Sequence, residues 1–91
     1  MNKNRAKDIM KIQAEIESLQ SDLDDIMSAV DEKATEERES FDNLSEGLQQ
    51  SEQGQRSEAA ADELENALSE ITDAVEAVAR AFEHLNAATE G

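Results

Sequence analysis

The chain is 91 residues long and holds 23 Asp and Glu against 8 Lys and Arg, a formal net charge of −15, with Phe41 and Phe82 as its only aromatics. This length allows one small domain. The absence of Cys, Pro, Trp and Tyr excludes a disulfide scaffold, a thiolate metal site and a cysteine nucleophile.

Residues 1–7 are basic but lead into no uninterrupted apolar stretch, so they predict a partly frayed N-terminal arm and not a secretory signal. No segment approaches the roughly 18–20 consecutive apolar residues of a membrane span, and a cytoplasmic protein is expected. The acidity opposes direct binding to nucleic acid or anionic lipid, both polyanions, so the expected partner is basic.

Helix 1 is predicted over 8–40. Ile9, Ile12, Ile16, Leu19, Leu23, Ile26 and Val30 recur at unbroken 3-4 spacing, the seam of an amphipathic helix. With Ile9 as heptad position a, Glu15 and Asp22 flank the seam on one side and Gln13 and Gln20 on the other. After Val30 the expected core positions are Lys33 and Glu37, so the helix is expected to continue in solvated form.

Residues 41–54 hold two of the three glycines and several Asn, Asp and Ser, and are read as the connection. Phe41, Leu44 and Leu48 are expected to fold over the open end of the helices.

Helix 2 is predicted over 55–89, with a seam of Ala61, Leu64, Leu68, Ile71, Val75, Val78, Phe82 and Leu85. Beside it Ala60, Ala67, Ala74, Ala81 and Ala88 fill every g position when Ala61 is a, which widens the apolar face to about three-sevenths of the surface. A face that wide touches two neighbours. The fold expected is therefore all-α, a single-domain antiparallel helical hairpin of coiled-coil type. Two copies are expected to pair along the alanine edge into a four-helix bundle, a homodimer.

Catalytic and metal signals are weak. Asp22-Leu23-Asp24-Asp25 resembles the start of a calcium loop but lacks its later glycine and glutamate and sits inside a heptad tract. His84 stands alone at an outer position, and one imidazole cannot build a zinc site. The pairs Glu36/Glu39 and Glu70/Asp73 resemble those with which all-helical nucleoside-triphosphate pyrophosphatases hold magnesium, but no cluster of Lys, Arg or Asn stands ready for a triphosphate. A non-enzyme with neither metal nor cofactor is expected.

Charge is distributed unevenly. Residues 1–12 hold Lys3, Arg5, Lys7 and Lys11 against Asp8, a local +3, which leaves −18 on the other 79. In a hairpin this basic start would lie near Glu83 and Glu90. Glu17, Asp24 and Asp31 form one acidic column, Asp25 and Glu32 (continuing to Glu39) a second, and Asp62, Glu76 and Glu83 lie along helix 2. These carboxylates are the candidate partner-binding face. Helices of about 35 residues give a rod of ~52 Å. Duplex DNA of that length carries about thirty charges, the charge of two copies of this chain.

The connection carries a recognisable motif. Phe41-Asp42-Asn43-Leu44-Ser45-Glu46-Gly47-Leu48-Gln49, then Ser51-Glu52, Gly54, Ala59 to Ala61 and Leu64, resembles the FDNLPEGLQ-x-SE-x-G turn of small acidic helical proteins from phages and prophages of Gram-positive bacteria. The likeness covers residues 40–75, with Ser45 where many of those proteins have Pro. It implies an origin in a mobile element and no settled activity. Small acidic phage proteins include DNA mimics and inhibitors of bacterial immunity, among them anti-CRISPR proteins, as well as scaffolding and assembly factors. Two functions are therefore expected to compete. One is an inhibitor that blocks a basic, nucleic-acid-handling host protein in the bacterial cytosol. The other is a helical adaptor or assembly protein whose acidity confers solubility.

Overall fold

The structure, a computed structural model, describes residues 1–90. Helix α1 runs Lys3–Asp42, a four-residue helix α2 runs Glu46–Gln49, and helix α3 runs Glu52–Glu90. Helices α1 and α3 lie antiparallel as a hairpin, a rod of 68 × 16 × 14 Å. None of the helices is long and apolar enough to cross a membrane, among the described residues.

Helix α1 begins at Lys3 where the sequence predicts an arm up to residue 7. The reason is a cap: the Asn2 side chain accepts from the Arg5 backbone N–H at 2.8 Å, satisfying one of the donors a helix start leaves open. At its other end α1 runs through the charged 31–40 stretch without interruption, two residues past the expected end.

The face that α1 turns to α3 differs from the expected one. Ile9, Ile16, Leu23 and Val30 point inward as predicted, but the column beside them is Gln13, Gln20, Met27 and Ala34, at position e. Ile12, Leu19 and Ile26, at position d, stand 46%, 47% and 48% exposed, whereas Gln13 is only 8% exposed. Relative to the expected seam, α1 is turned about its axis by roughly half a helical position, since a and e lie 40° apart and a and d 60° apart on the other side.

The connection end supplies the reason. Met27, Val30, Ala34, Glu37, Phe41 and Leu44 form their own 3-4 series, in phase with Gln13 and Gln20 and out of phase with Ile12 and Leu19. Glu37 sits on this line half-buried and accepts a 2.8 Å hydrogen bond from the Ser57 hydroxyl, while Lys33 falls outside it and pairs with Glu36 at 3.1 Å. The heptad pattern therefore does not fail after Val30; it continues one column over.

Several motif residues of the connection have structural roles. Asn43 caps α1 through its backbone N–H to the carbonyl of Glu39. Ser45 caps α2, and Gln49 returns from α2 to donate to the Phe41 carbonyl at 3.1 Å. Ser51 precedes α3, its hydroxyl accepting from Gly54 N–H at 3.1 Å and donating to the Leu48 carbonyl. Gly54 is obligatory, because a Cβ there would lie 2.1 Å from the Leu48 carbonyl oxygen and 2.5 Å from that of Gln49. Phe41 and Leu44 are half-buried over the end of the helices, but Leu48 is exposed and takes no part in the closure. Its place is set by the tight turn into α3, which directs its backbone, not its side chain, toward Gly54.

The interior is thin. Ala34 and Ala61 are the buried apolar residues among those described, and no large side chain is fully buried. Two helices share one seam and every large aliphatic group on it keeps an edge in water, as expected where a single line of contact must serve a rod.

Candidate functional site

The two helices meet along a line, so the rod has two flanks, and heptad position decides which residues lie on each. Both helices are right-handed and run in opposite senses, so positions displaced the same way from the seam lie on the same side of the hairpin. Facing residues are those whose numbers sum to about one hundred, as Met27 with Thr72 (Sδ to Oγ1, 3.6 Å) and Arg38 with Asp62 (2.6 Å) do.

One flank is acidic. Position b of α1 brings Glu17, Asp24 and Asp31 onto it, and position b of α3 brings Asp62, Glu76 and Glu83. Asp25 and Glu32 turn one step further, onto the back of α1. All eight are exposed, and together they make one acidic surface from the back of α1 across the flank to α3. Glu65, at position e of α3, lies among them. Sequence reading found the columns but missed Glu65, whose signal would have been its spacing three residues after Asp62.

Arg38 stands in the same column, one heptad after Asp31. Its guanidinium donates to Glu65 at 3.0 and 3.1 Å and to Asp62 at 2.6 Å, bridging α1 to α3. Hydrogen bonds from Glu65 first and Asp62 second hold it still more firmly in the charged form. Its charge is thereby spent on two carboxylates, and the other cations of these α1 columns, Lys3 and Lys11, stand at the N-terminal end of the helix. Exposed pairs of this kind set register more than they add stability.

The acidic flank contains two shallow open grooves of about 220 and 260 Å³, the first lined by Asp31, Ala34, Arg38 and Leu68, the second by Met27, Ser28, Leu68 and Thr72. Both fall below the ~300 Å³ of typical small-molecule sites. Among the described residues no group of three or more His, Asp or Glu is placed to hold a metal ion. Asp22 to Asp25 lie in unbroken helix, with no loop to wrap an ion. Glu36 is engaged by Lys33, Glu70 and Asp73 face solvent, and these carboxylates form no joint site with Glu39. His84 is exposed.

The other flank is apolar along its centre. Position d of α1 supplies Ile12, Leu19 and Ile26, and position g of α3 supplies Ala60, Ala67, Ala74, Ala81 and Ala88, all exposed. The register sets Ile12 level with Ala88, Leu19 with Ala81 and Ile26 with Ala74. Arg5 and Lys33 close the α1 column at its ends. Asp8, Glu15, Asp22, Glu63 and Glu70 border the strip on its outer edges.

No protein-family model matches the chain, and no match was found among the curated proteins or the solved structures.

Proposed function

We propose that this chain is a non-enzymatic acidic protein of a phage or other mobile element that binds a basic, nucleic-acid-handling protein of the bacterial cytosol and blocks its nucleic-acid groove, as an anti-defence inhibitor does. The observation that carries this reading is the acidic surface, where eight exposed carboxylates run from the back of α1 across the flank to α3 and the cation that follows them in their column, Arg38, is already held by Asp62 and Glu65, with Lys3 and Lys11 at the N-terminal end of α1. A surface of this kind attracts a basic groove over long range and is recognised through charge pattern and shape. The likeness of the 41–54 turn to phage and prophage proteins supports the mobile-element origin.

The 68 Å rod is longer than helix length alone predicts, which lowers the charge density of a single copy to one per about 4.5 Å of length, against one per ~1.7 Å of duplex DNA. One chain therefore presents about two-fifths of the charge density of the duplex it would displace. A second reading, a helical adaptor or assembly protein, is favoured by the apolar flank, which an inhibitor acting by charge alone does not need.

Retention of bacterial lysate on the immobilised chain, eluted with a salt gradient and in parallel with duplex DNA, separates the two. The inhibitor reading expects DNA-binding proteins to be retained, released by DNA and by moderate salt, and lost when Asp24, Asp25, Asp62 and Glu76 are changed to their amides. Retention indifferent to salt, DNA and these four changes would overturn it.

A further inference from the structure

We infer that two copies of this chain stack through their apolar flanks, with both connections at the same end, so that Ile12, Leu19 and Ile26 of each copy seat on Ala88, Ala81 and Ala74 of the other. This does not rest on the charge reading above and would stand if the partner were not basic.

Three observations carry it. First, Ile12, Leu19 and Ile26 form a single column close to half-exposed on a molecule that buries no large side chain completely. Water faces three aliphatic groups that an isolated rod has no means to cover. Second, the strip is self-complementary. It carries one large column and one small column at the same spacing and the same level, and a two-fold rotation about the long axis of the rod exchanges them, so each Leu19 meets an Ala81 and each Ala81 a Leu19. Alternation of large and small residues across facing positions is how helix layers interdigitate, and an isologous contact requires this self-complementarity. Rotation about an axis across the rod would set aliphatic on aliphatic along α1 and alanine on alanine along α3, forcing unequal spacing on two edges of one rigid pair. Third, the area suffices. The footprint runs the 28 residues of the alanine column, ~42 Å of helix, with aliphatic-on-alanine matching from Ala74 to Ala88 and a polar end where Ala67 and Ala60 stand level with Lys33 and Ser40; over a 16 Å wide rod this is about 670 Å² per copy. The total of about 1,300 Å² lies within the ~1,200–2,000 Å² of stable specific interfaces. Asp8, Glu15, Asp22, Glu63 and Glu70 form the polar rim such an interface has.

The arrangement leaves the two acidic flanks on opposite outer faces. Two copies carry −30 over 68 Å, one charge per about 2.3 Å, three-quarters of the density of duplex DNA.

Sedimentation equilibrium of the full chain at micromolar concentration is expected to give twice 10.0 kDa. Ala81→Glu is expected to weaken self-association at least tenfold while the far-ultraviolet circular dichroism stays helical. The absence of native cysteine permits a second measurement that needs no unfolded control. Leu19→Cys chains mixed with Ala81→Cys chains and oxidised gently are expected to yield the mixed disulfide well in excess of either like-with-like product. A monomeric mass, or Leu19→Cys chains bridging preferentially to one another, would overturn the proposal.

Discussion

The two flanks of the rod are built from the same two helices and the same heptads, yet one is a field of carboxylates tied across by Arg38 and the other a strip of Ile, Leu and Ala with, among the described residues, no tie between the helices. What separates them is the rotation of α1. Turned toward position d, α1 would hide Ile12, Leu19 and Ile26 in the seam and leave only alanines outside. Turned toward position e, as it is, α1 covers Gln13 and Gln20, and the aliphatic column joins the alanines on one side. A small turn of one helix thus converts a closed hairpin into a two-sided one. The lesson is that in a two-helix rod the assembly surface and the seam draw on the same residues, and the connection chooses between them.

The charged flank is expected to show the largest effect. Changing Asp24, Asp25, Asp62 and Glu76 together to their amides is expected to weaken binding of a basic partner by about a hundredfold at low salt, with the deficit shrinking as salt rises. Titration of the partner at several salt concentrations reads this directly. The same variant should sediment as the unchanged chain does, because none of the four lies on the apolar flank.

Next is the tight turn into α3. Gly54→Ala places a Cβ against the backbone carbonyls of Leu48 and Gln49, and is expected to destabilise the fold by about 2–3 kcal/mol, read as a lower urea midpoint. Gly47, in the same motif, has open space where a Cβ would go, so Gly47→Ala should cost far less.

Smaller and opposite in sign is Gln13→Leu. Since Gln13 is 8% exposed on the seam, leucine there should stabilise by about 1 kcal/mol and raise the melting temperature. Were the seam at position d, the substitution would only add an exposed aliphatic group and leave the melting temperature unchanged. Arg38→Ala is the mildest: it removes the bridge to Asp62 and Glu65, and a fall of a few degrees at most is expected in the melting temperature, vanishing in high salt.

Much of the fold was legible before the structure. The seam of α3, from Ala61 to Leu85, faces α1 as its spacing predicts, because there the a and d columns carry the large apolar groups and the neighbouring g column holds only alanine. The hairpin and the closing role of Phe41 and Leu44 were likewise readable from heptads and capping residues. The rotation of α1 was not. Between residues 9 and 30 the a/d columns are richer in aliphatic groups than a/e, and amides at 13 and 20 look like surface residues. The decisive signal sat further along, in Met27, Ala34, Phe41 and Leu44, which share a phase with those amides. Of the candidate acidic surface, the columns on each helix could be read from spacing. Their convergence on one flank could not, because it depends on the register between helices, which Arg38 with Asp62 and Met27 with Thr72 reveal only in three dimensions.

The rotation of α1 is tested most directly by nuclear Overhauser contacts to the Met27 methyl group in chains labelled so that contacts within one copy are distinguished from those between copies. Contacts within one copy are expected from Met27 to the methyl groups of Thr72 and Leu68, which line one groove with it. A Met27 methyl with no contact to either, alongside Ile26 contacting the inward residues of α3 in its place, would contradict it.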